Sequence, residues 1–434
     1  MSKVLIVVLG LLLGLLGLGV WVALGLIGVG VGSLAVFKPL LPVYKLLAQQ
    51  AWNVATSKEI LALPLFILMA EILFRTRLSE SLFSGLAPWT HRIPGRMSHI
   101  TVLASTLFAA VSGSSAATTA TVGRITATEL LNRGYDRRMV LGSLAGSGTL
   151  GFLIPPSVIM IIYGVLAEES ILKLFLAGVI PGILLAGSYM AYLGTVSLLK
   201  PSVVGSPPPP MTLGERFAAL FNLLPVLMLI LCVIGSMYGG IASPTEAAAV
   251  GVLGSLLIGV FQRTITIKNL CEAFLQASRT ISMIGLIIIG AVFLSVALGY
   301  LGVPRFVAGV IQPLELSPFM LIVVLIIFYG LLGCVMEGMS AIVMTLSITL
   351  PLVLDAGYDK VWFGVFIVLV VEMAQITPPV GFNLFVIQGL TGDTISSIAR
   401  AALPFFLIMV ILTIVLAVFP ELATWLPETI KLRG

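Results

Sequence analysis

Charge is what this 434-residue sequence has least of. Asp, Glu, Lys and Arg make up 9% of it, against roughly 25% in a soluble domain. A surface so poor in charge cannot stay hydrated, which excludes a soluble globular protein. There are two histidines, His91 and His99, both read as lying in a basic loop, so a His-based catalytic centre or a zinc site has almost nothing to build from. The three cysteines, Cys232, Cys271 and Cys334, are odd in number and set in apolar sequence. They read as packing residues, not as a disulfide framework or a metal site. No Gly-x-x-x-x-Gly-Lys-Ser/Thr loop occurs, which disfavours ATP-driven pumping. The strict apolar–polar alternation of an outer-membrane barrel is also missing. No convincing set of catalytic acids stands at membrane depth, so an enzyme is not expected.

What the sequence has is apolar length. Hydrophobic residues make up 59% and the mean hydropathy is +1.17. Apolar runs recur around residues 61–74, 174–199, 223–237, 281–301 and 405–419; with their flanks they reach the ~20 residues that cross a ~30 Å hydrocarbon core. Residues 3–36 form one Gly/Leu/Val run, too long for a cleaved signal, and read as one or two membrane segments. The net charge of +5 reports cytoplasmic loops, not nucleic-acid binding. The fold class expected is an all-α polytopic membrane protein.

Two stretches carry the same punctuation at one offset. Gly134-Tyr-Asp136, Pro155-Pro156 and Pro181 are matched by Gly357-Tyr-Asp359, Pro378-Pro379 and Pro404, and 357−134, 378−155 and 404−181 all equal 223. A duplicated element with prolines inside apolar segments is the mark of a repeat-built transporter. Charge then orients the copies. Arg75, Arg77, Arg92 and Arg96 precede the apolar stretch from Ile100, and Arg133, Arg137 and Arg138 follow it, so both flanks are placed in the cytoplasm. Residues 100–132 as one helix would run ~50 Å, and their middle, Ser112-Gly-Ser-Ser115, is small and polar. Two half-length helices returning to the same side fit better, with the tip backbone satisfied by protein or a watery cavity. The second copy's hairpin is flanked by Glu315, Asp355 and Asp359 with a lone Lys360, so it should open from the opposite face. Inverted repeats follow, with Glu168 and Glu169 outside and Lys200, Arg263 and Lys268 inside.

The expected organisation is N-terminal segments over 1–57, then repeat one over 58–199, with a re-entrant hairpin near 99–131 and a broken helix near 139–167. A Pro-rich cytoplasmic linker over 200–216, stiffened by Pro207–Pro210, leads to scaffold helices over 217–280. Repeat two covers 281–420, with a hairpin near 318–355 and a broken helix near 360–390. Residues 421–434 form a tail.

The motifs are deliberate helix breaks. Gly146-Ser-Gly-Thr-Leu-Gly151 runs into Ile154-Pro-Pro-Ser157, and Gln375-Ile-Thr-Pro-Pro-Val-Gly-Phe-Asn383 sits at the matching place. Tandem prolines remove backbone donors and force unwinding. The freed carbonyls, with Ser147, Thr149, Thr377 and Asn383 nearby, are hard oxygen ligands suited to a small cation. The adjoining half-helix N-termini favour an anion. A simple packing kink explains one Pro-Pro well but two matched copies poorly. Small residues such as Ser114, Ser115 and Thr118 also serve close helix packing. Within the membrane, Arg124 could meet a substrate anion or pair with Glu129, while Glu337 and Glu372 could couple protons, complete a cation site or cap helix ends.

Ser112-Gly-Ser-Ser-Ala-Ala-Thr118, Gly148-Thr-Leu-Gly-Phe-Leu-Ile-Pro-Pro-Ser157, Leu174-Phe-Leu-Ala-Gly-Val-Ile-Pro-Gly182 and Ile376-Thr-Pro-Pro-Val-Gly-Phe-Asn-Leu-Phe385 together resemble the large membrane subunit of the tripartite ATP-independent periplasmic (TRAP) transporters, over essentially the whole chain. The resemblance implies a sodium-driven elevator importer of small organic acids in the bacterial inner membrane. Its partners would be a small four-helix membrane (Q) subunit and a soluble periplasmic (P) protein that delivers substrate. Family sodium sites fall, by block, on Ser114, Ser115, Thr118 and Gly148 in repeat one and on Gly338, Ser340, Thr377 and Gly381 in repeat two. Substrate would lie between the tips, near Ser112, Arg124, Pro155, Pro156, Ser157, Pro378, Pro379 and Asn383. Sodium is the only ion implied, and no organic cofactor. Proton coupling is the runner-up, and a channel or receptor on a transporter-like domain is the alternative class. Inverted hairpins argue against a channel, and the absence of a long soluble loop argues against a receptor.

Overall fold

The computed structural model describes residues 2–430 apart from 91, 207–211, 312, 314 and 335. These are α-helices with two short 3₁₀ turns, and no strand occurs among the described residues. Six of the helices are long and apolar enough to cross a membrane, or seven if the bent pair Leu213–Leu220 and Leu224–Tyr238 counts as one span. The chain is a multi-pass membrane protein. The 3–36 run forms two helices, Ser2–Gly17 and Val22–Phe37, packed on each other.

Helices Ser98–Ser112 and Ser115–Asn132 form a first hairpin. Gly113, at φ +60°, ends the first arm in the left-handed conformation that glycine adopts freely. Ser114 then caps the return arm by accepting from the Ala117 N–H. At the far end the Met97 N–H donates to the Tyr135 hydroxyl at 3.0 Å, so both arms finish at the same level. Helices Pro318–Gly333 and Gly338–Asp355 make a second hairpin. Glu337 caps its return arm, and the Tyr329 hydroxyl lies 2.8 Å from Thr345 Oγ1 and 3.0 Å from Thr349 Oγ1, bridging the arms. Glu337 is the repeat counterpart of Ser114, since 337−114 = 223.

The other paired elements are interrupted helices. The first runs Arg137–Gly148 and Leu150–Leu153, unwinds at residues 154–157, and resumes as Val158–Ala167. The second runs Lys360–Gln375, unwinds at 376–381, and resumes as Phe382–Thr391. Asp136 and Asp359 cap their starts, accepting from Met139 N–H and from Val361 and Trp362 N–H. The Pro155-Pro156 and Pro378-Pro379 bonds are both cis. The helices after the breaks, Ile171–Leu199 and Ile395–Val418, run through Pro181 and Pro404 without stopping.

Lys360–Gln375 is the centre of the molecule. Every residue from Val361 to Gln375 is buried, which is what a helix apolar all round requires. Tyr358, Trp362 and Phe366 stack along it, and the Trp362 indole N–H donates to the Leu416 carbonyl. Both arms of the second hairpin, the first broken helix and Ile171–Leu199 pack on it. The long helix Ile267–Tyr300 pairs with Val22–Phe37, and Pro244–Phe261 with Ala62–Leu73.

Several details differ from the sequence reading. His99 stands in the first turn of Ser98–Ser112 and is buried, because the basic loop ends at Met97; His91 lies outside the described residues. Cys232 and Cys271 are exposed and only Cys334 is partly buried, since a helix facing hydrocarbon turns apolar residues outward as readily as inward. The expected boundaries after residues 216 and 280 fall inside Leu213–Leu220 and Ile267–Tyr300. Of the linker, Pro207–Pro210 lie outside the described residues, while its start is pinned: Ser206 N–H donates to the Arg133 carbonyl and Arg96 to the Gly205 carbonyl.

Candidate functional site

The tip of the first hairpin is inserted between the two helix breaks. Ser115 Oγ lies 2.8 Å from Glu372 Oε2 and 3.0 Å from the Gly148 carbonyl, so its single proton serves one of them at a time. It accepts from the Asn383 amide at 2.8 Å. The other Glu372 oxygen accepts from the Phe152 N–H at 2.9 Å. Residues from the first hairpin, the first broken helix and both halves of the second therefore share one polar cluster. Ser115, Glu372 and Asn383 are all 0% exposed. Glu372 forms none of the salt bridges found among the described residues. The Asn383 side-chain oxygen is buried without a partner. An orphaned acceptor and an unpaired carboxylate are both expensive at this depth.

Glycine makes the approach possible. A Cβ on Gly151 would fall 2.5 Å from Ser115 Cα, and one on Gly148 would run into Thr119 Oγ1. The break itself is capped by the hairpin: Val158 N–H donates to the Gly113 carbonyl, and the Ser157 hydroxyl accepts from the Met160 N–H.

The residues singled out from sequence separate into groups. Ser115, Gly148 and Asn383 meet in the cluster. Ser114 and Thr118 adjoin it through the Thr118 hydroxyl, which donates to the Ser114 carbonyl at 2.8 Å and lies 2.9 Å from Ser112 Oγ. Gly338 sits against Val371, Thr377 Oγ1 donates to the Met373 carbonyl at 2.6 Å, and a Cβ on Gly381 would lie 2.8 Å from the Thr377 carbonyl; all three gather at the end of Lys360–Gln375. Ser340 instead faces Glu337. Pro155, Pro156 and Ser157 are buried, whereas Pro378, Pro379 and Val380 are exposed, so the second break is the open one. Ser147 and Thr149 turn back onto the carbonyls of Leu144 and Gly146.

Arg124 is exposed on the return arm, roughly 13 Å along the helix from Ser115, and is not brought to the cluster. Glu129 pairs with Arg133, not with Arg124. Phe152 escaped the sequence reading, while Thr119, which reads from sequence as a packing residue, lies against Gly148. Phe152 acts through its backbone, which no side-chain pattern marks; its one signal is Gly151 beside it. A cavity of about 260 Å³ lies elsewhere, between Ser295, Ser347 and Glu168.

Comparison with known proteins places this geometry in a family. Residues 7–422 match the family of the tripartite ATP-independent periplasmic transporter, DctM component. The C4-dicarboxylate TRAP transporter large permease protein DctM of Pseudomonas aeruginosa is 32% identical over 385 residues, covering 88% of this chain and 89% of that one. The sialic acid TRAP transporter permease protein SiaT of Haemophilus influenzae is 29% identical, over 94% of this chain and 67% of its own length. The fold is shared with the YdaH transporter of Alcanivorax borkumensis, at a TM-score of 0.62 and 13% identity over 90% of this chain and 89% of that one. The chain belongs to the DctM component family, the large membrane subunits of TRAP transporters.

Proposed function

We propose that the chain is the membrane path of a sodium-coupled importer that takes up a small organic anion handed over by a periplasmic binding protein. The cluster around Ser115 carries this reading. Glu372 Oε2, Ser115 Oγ, the Gly148 carbonyl and the unpartnered Asn383 oxygen are hard oxygen donors of the kind small cations prefer. A cation there would satisfy the orphan and neutralise the carboxylate together. The second group, Gly338, Thr377 and Gly381 with Ser340 on the adjoining tip, would hold a further ion. Substrate would enter at the exposed break, Pro378 to Val380, where the N-terminus of Phe382–Thr391 favours an anion. The relatives named for C4-dicarboxylate and sialic acid support a carboxylate substrate.

Two features support inverted repeats and an elevator. The broken helices run antiparallel, because the start of each meets the end of the other: Arg137 with Thr391 and Asp393, Lys360 with Ala167. Each hairpin packs against a broken helix, the first on Arg137–Gly148 and the second on Lys360–Gln375, so both are read as re-entrant and as moving with the breaks. The tripartite family supports a Q subunit and a P protein as partners in an inner membrane.

Thermal stability in NaCl against equal choline chloride tests the reading. Sodium at 100 times its dissociation constant stabilises by about 2.7 kcal/mol; Ser115→Ala and Thr377→Ala should each remove part of the difference and the double variant all of it. No difference in the unaltered protein would overturn sodium coupling. Glu372 favours proton coupling as the second reading, since it is a fully buried carboxylate that forms none of the salt bridges among the described residues. Sodium-driven uptake that survives Glu372→Gln removes that alternative.

A further inference from the structure

Arg137 and Lys360 break a local rule of helix electrostatics. Each occupies the first position of a helix, Arg137–Gly148 and Lys360–Gln375, where the unsatisfied N–H groups disfavour a cation. They are repeat counterparts, since 360−137 = 223. Both reach away from their own helix to the C-terminal end of the other broken helix, where a cation is favoured. Arg137 Nη2 donates to the Thr391 carbonyl at 3.1 Å, and its Nε lies 2.9 and 3.1 Å from the two Asp393 oxygens. Lys360 Nζ donates to the Ala167 carbonyl at 3.2 Å, and the Tyr163 hydroxyl donates to the Lys360 carbonyl at 2.6 Å. From the Arg137 end, Gly148 and Asn383 are roughly 17 and 12 Å away along their helices.

We propose that Arg137 and Lys360 are positioning residues, a pair of latches that fix the two broken helices side by side and so set the register between their breaks. This rests on the transporter reading only in that the breaks carry the ligands. The latches differ in chemistry. Arg137 meets a carboxylate at an exposed edge, whereas Lys360 meets a neutral carbonyl. Loss of either latch lets the breaks slide against each other, although neither residue touches the cluster.

Amide hydrogen exchange on the full chain tests this without any ligand, comparing unaltered protein with Arg137→Ala, Asp393→Ala, the double variant and the swap Arg137→Asp with Asp393→Arg. Each single variant should speed exchange in peptides covering both breaks by about two- to fivefold, the span that an exposed ion pair supplies. The double variant should match the singles, and the swap should restore slow exchange. Faster exchange confined to the helix ends near residues 137 and 391–393, or single effects that add, would overturn the proposal. Should Arg137→Ala fail to fold, Lys360→Met examines the other latch by the same criterion. A protein with the latch intact and no sodium response would remove the sodium-coupled reading instead, so the two failures are distinct.

Discussion

A single carboxylate ties this molecule together. Glu372 comes from the second repeat, yet both of its oxygens bond to the first, one to Ser115 and one to Phe152. Replacing it with Ala strands the buried Phe152 N–H at about 1–3 kcal/mol, while the Ser115 proton still has the Gly148 carbonyl. Gln keeps an acceptor for Phe152. Glu372→Ala should therefore lower the melting temperature more than Glu372→Gln, and equal losses would show that the hydrogen bonds contribute nothing. Gly148 is the second residue on which the cluster turns. A methyl there collides with Thr119 Oγ1 and comes within 3.3 Å of Asn383 Nδ2, so Gly148→Ala should reduce the sodium-dependent rise in stability. Thr119→Ala removes the colliding oxygen and should restore part of it. An unchanged sodium response in Gly148→Ala would place the ion elsewhere.

At the scale of elements, capping and helix breaking set where each segment starts and stops. Asp136 and Asp359 start the two broken helices, and an Asp-to-Ala change at an N-cap costs about 1 kcal/mol. Chemical denaturation of Asp136→Ala and Asp359→Ala should show comparable losses, because the two caps are equivalent. The pairing of the helices adds a pH dependence. The Arg137 guanidinium bonded to Asp393 lowers the carboxyl's pKa. A carboxyl lowered in the folded state contributes stability above its unfolded pKa of about 3.9 and loses it as pH falls through the folded value. The unaltered protein should thus be destabilised by acid more than Asp393→Asn, measured as melting temperature below about pH 4; identical acid profiles would show the pair to be idle.

At the scale of the whole molecule, the repeat is the organising fact, and much of it is written in the sequence. Pairs 223 apart become equivalent devices: Asp136 and Asp359 cap, Gly134 and Gly357 take positive φ, and both Pro-Pro pairs interrupt helices. The apolar composition and proline spacing determine by themselves that the chain is helical and where its helices break, because hydropathy and missing N–H groups act locally. Which breaks meet is another matter. The sequence marks Ser115, Gly148 and Asn383 as polar groups near breaks. It leaves open that Asn383 of one repeat bonds to Ser115 of the other, and that Glu372 reaches Phe152. It equally hides that the first break is buried and the second open, and that Arg124 stands away from both. Those facts follow from how the hairpins dock, a balance of close packing over glycine and satisfaction of buried polar groups. Much of it is struck between residues more than 200 positions apart, as Glu372 with Phe152 and Asn383 with Ser115, so only the tertiary structure decides it.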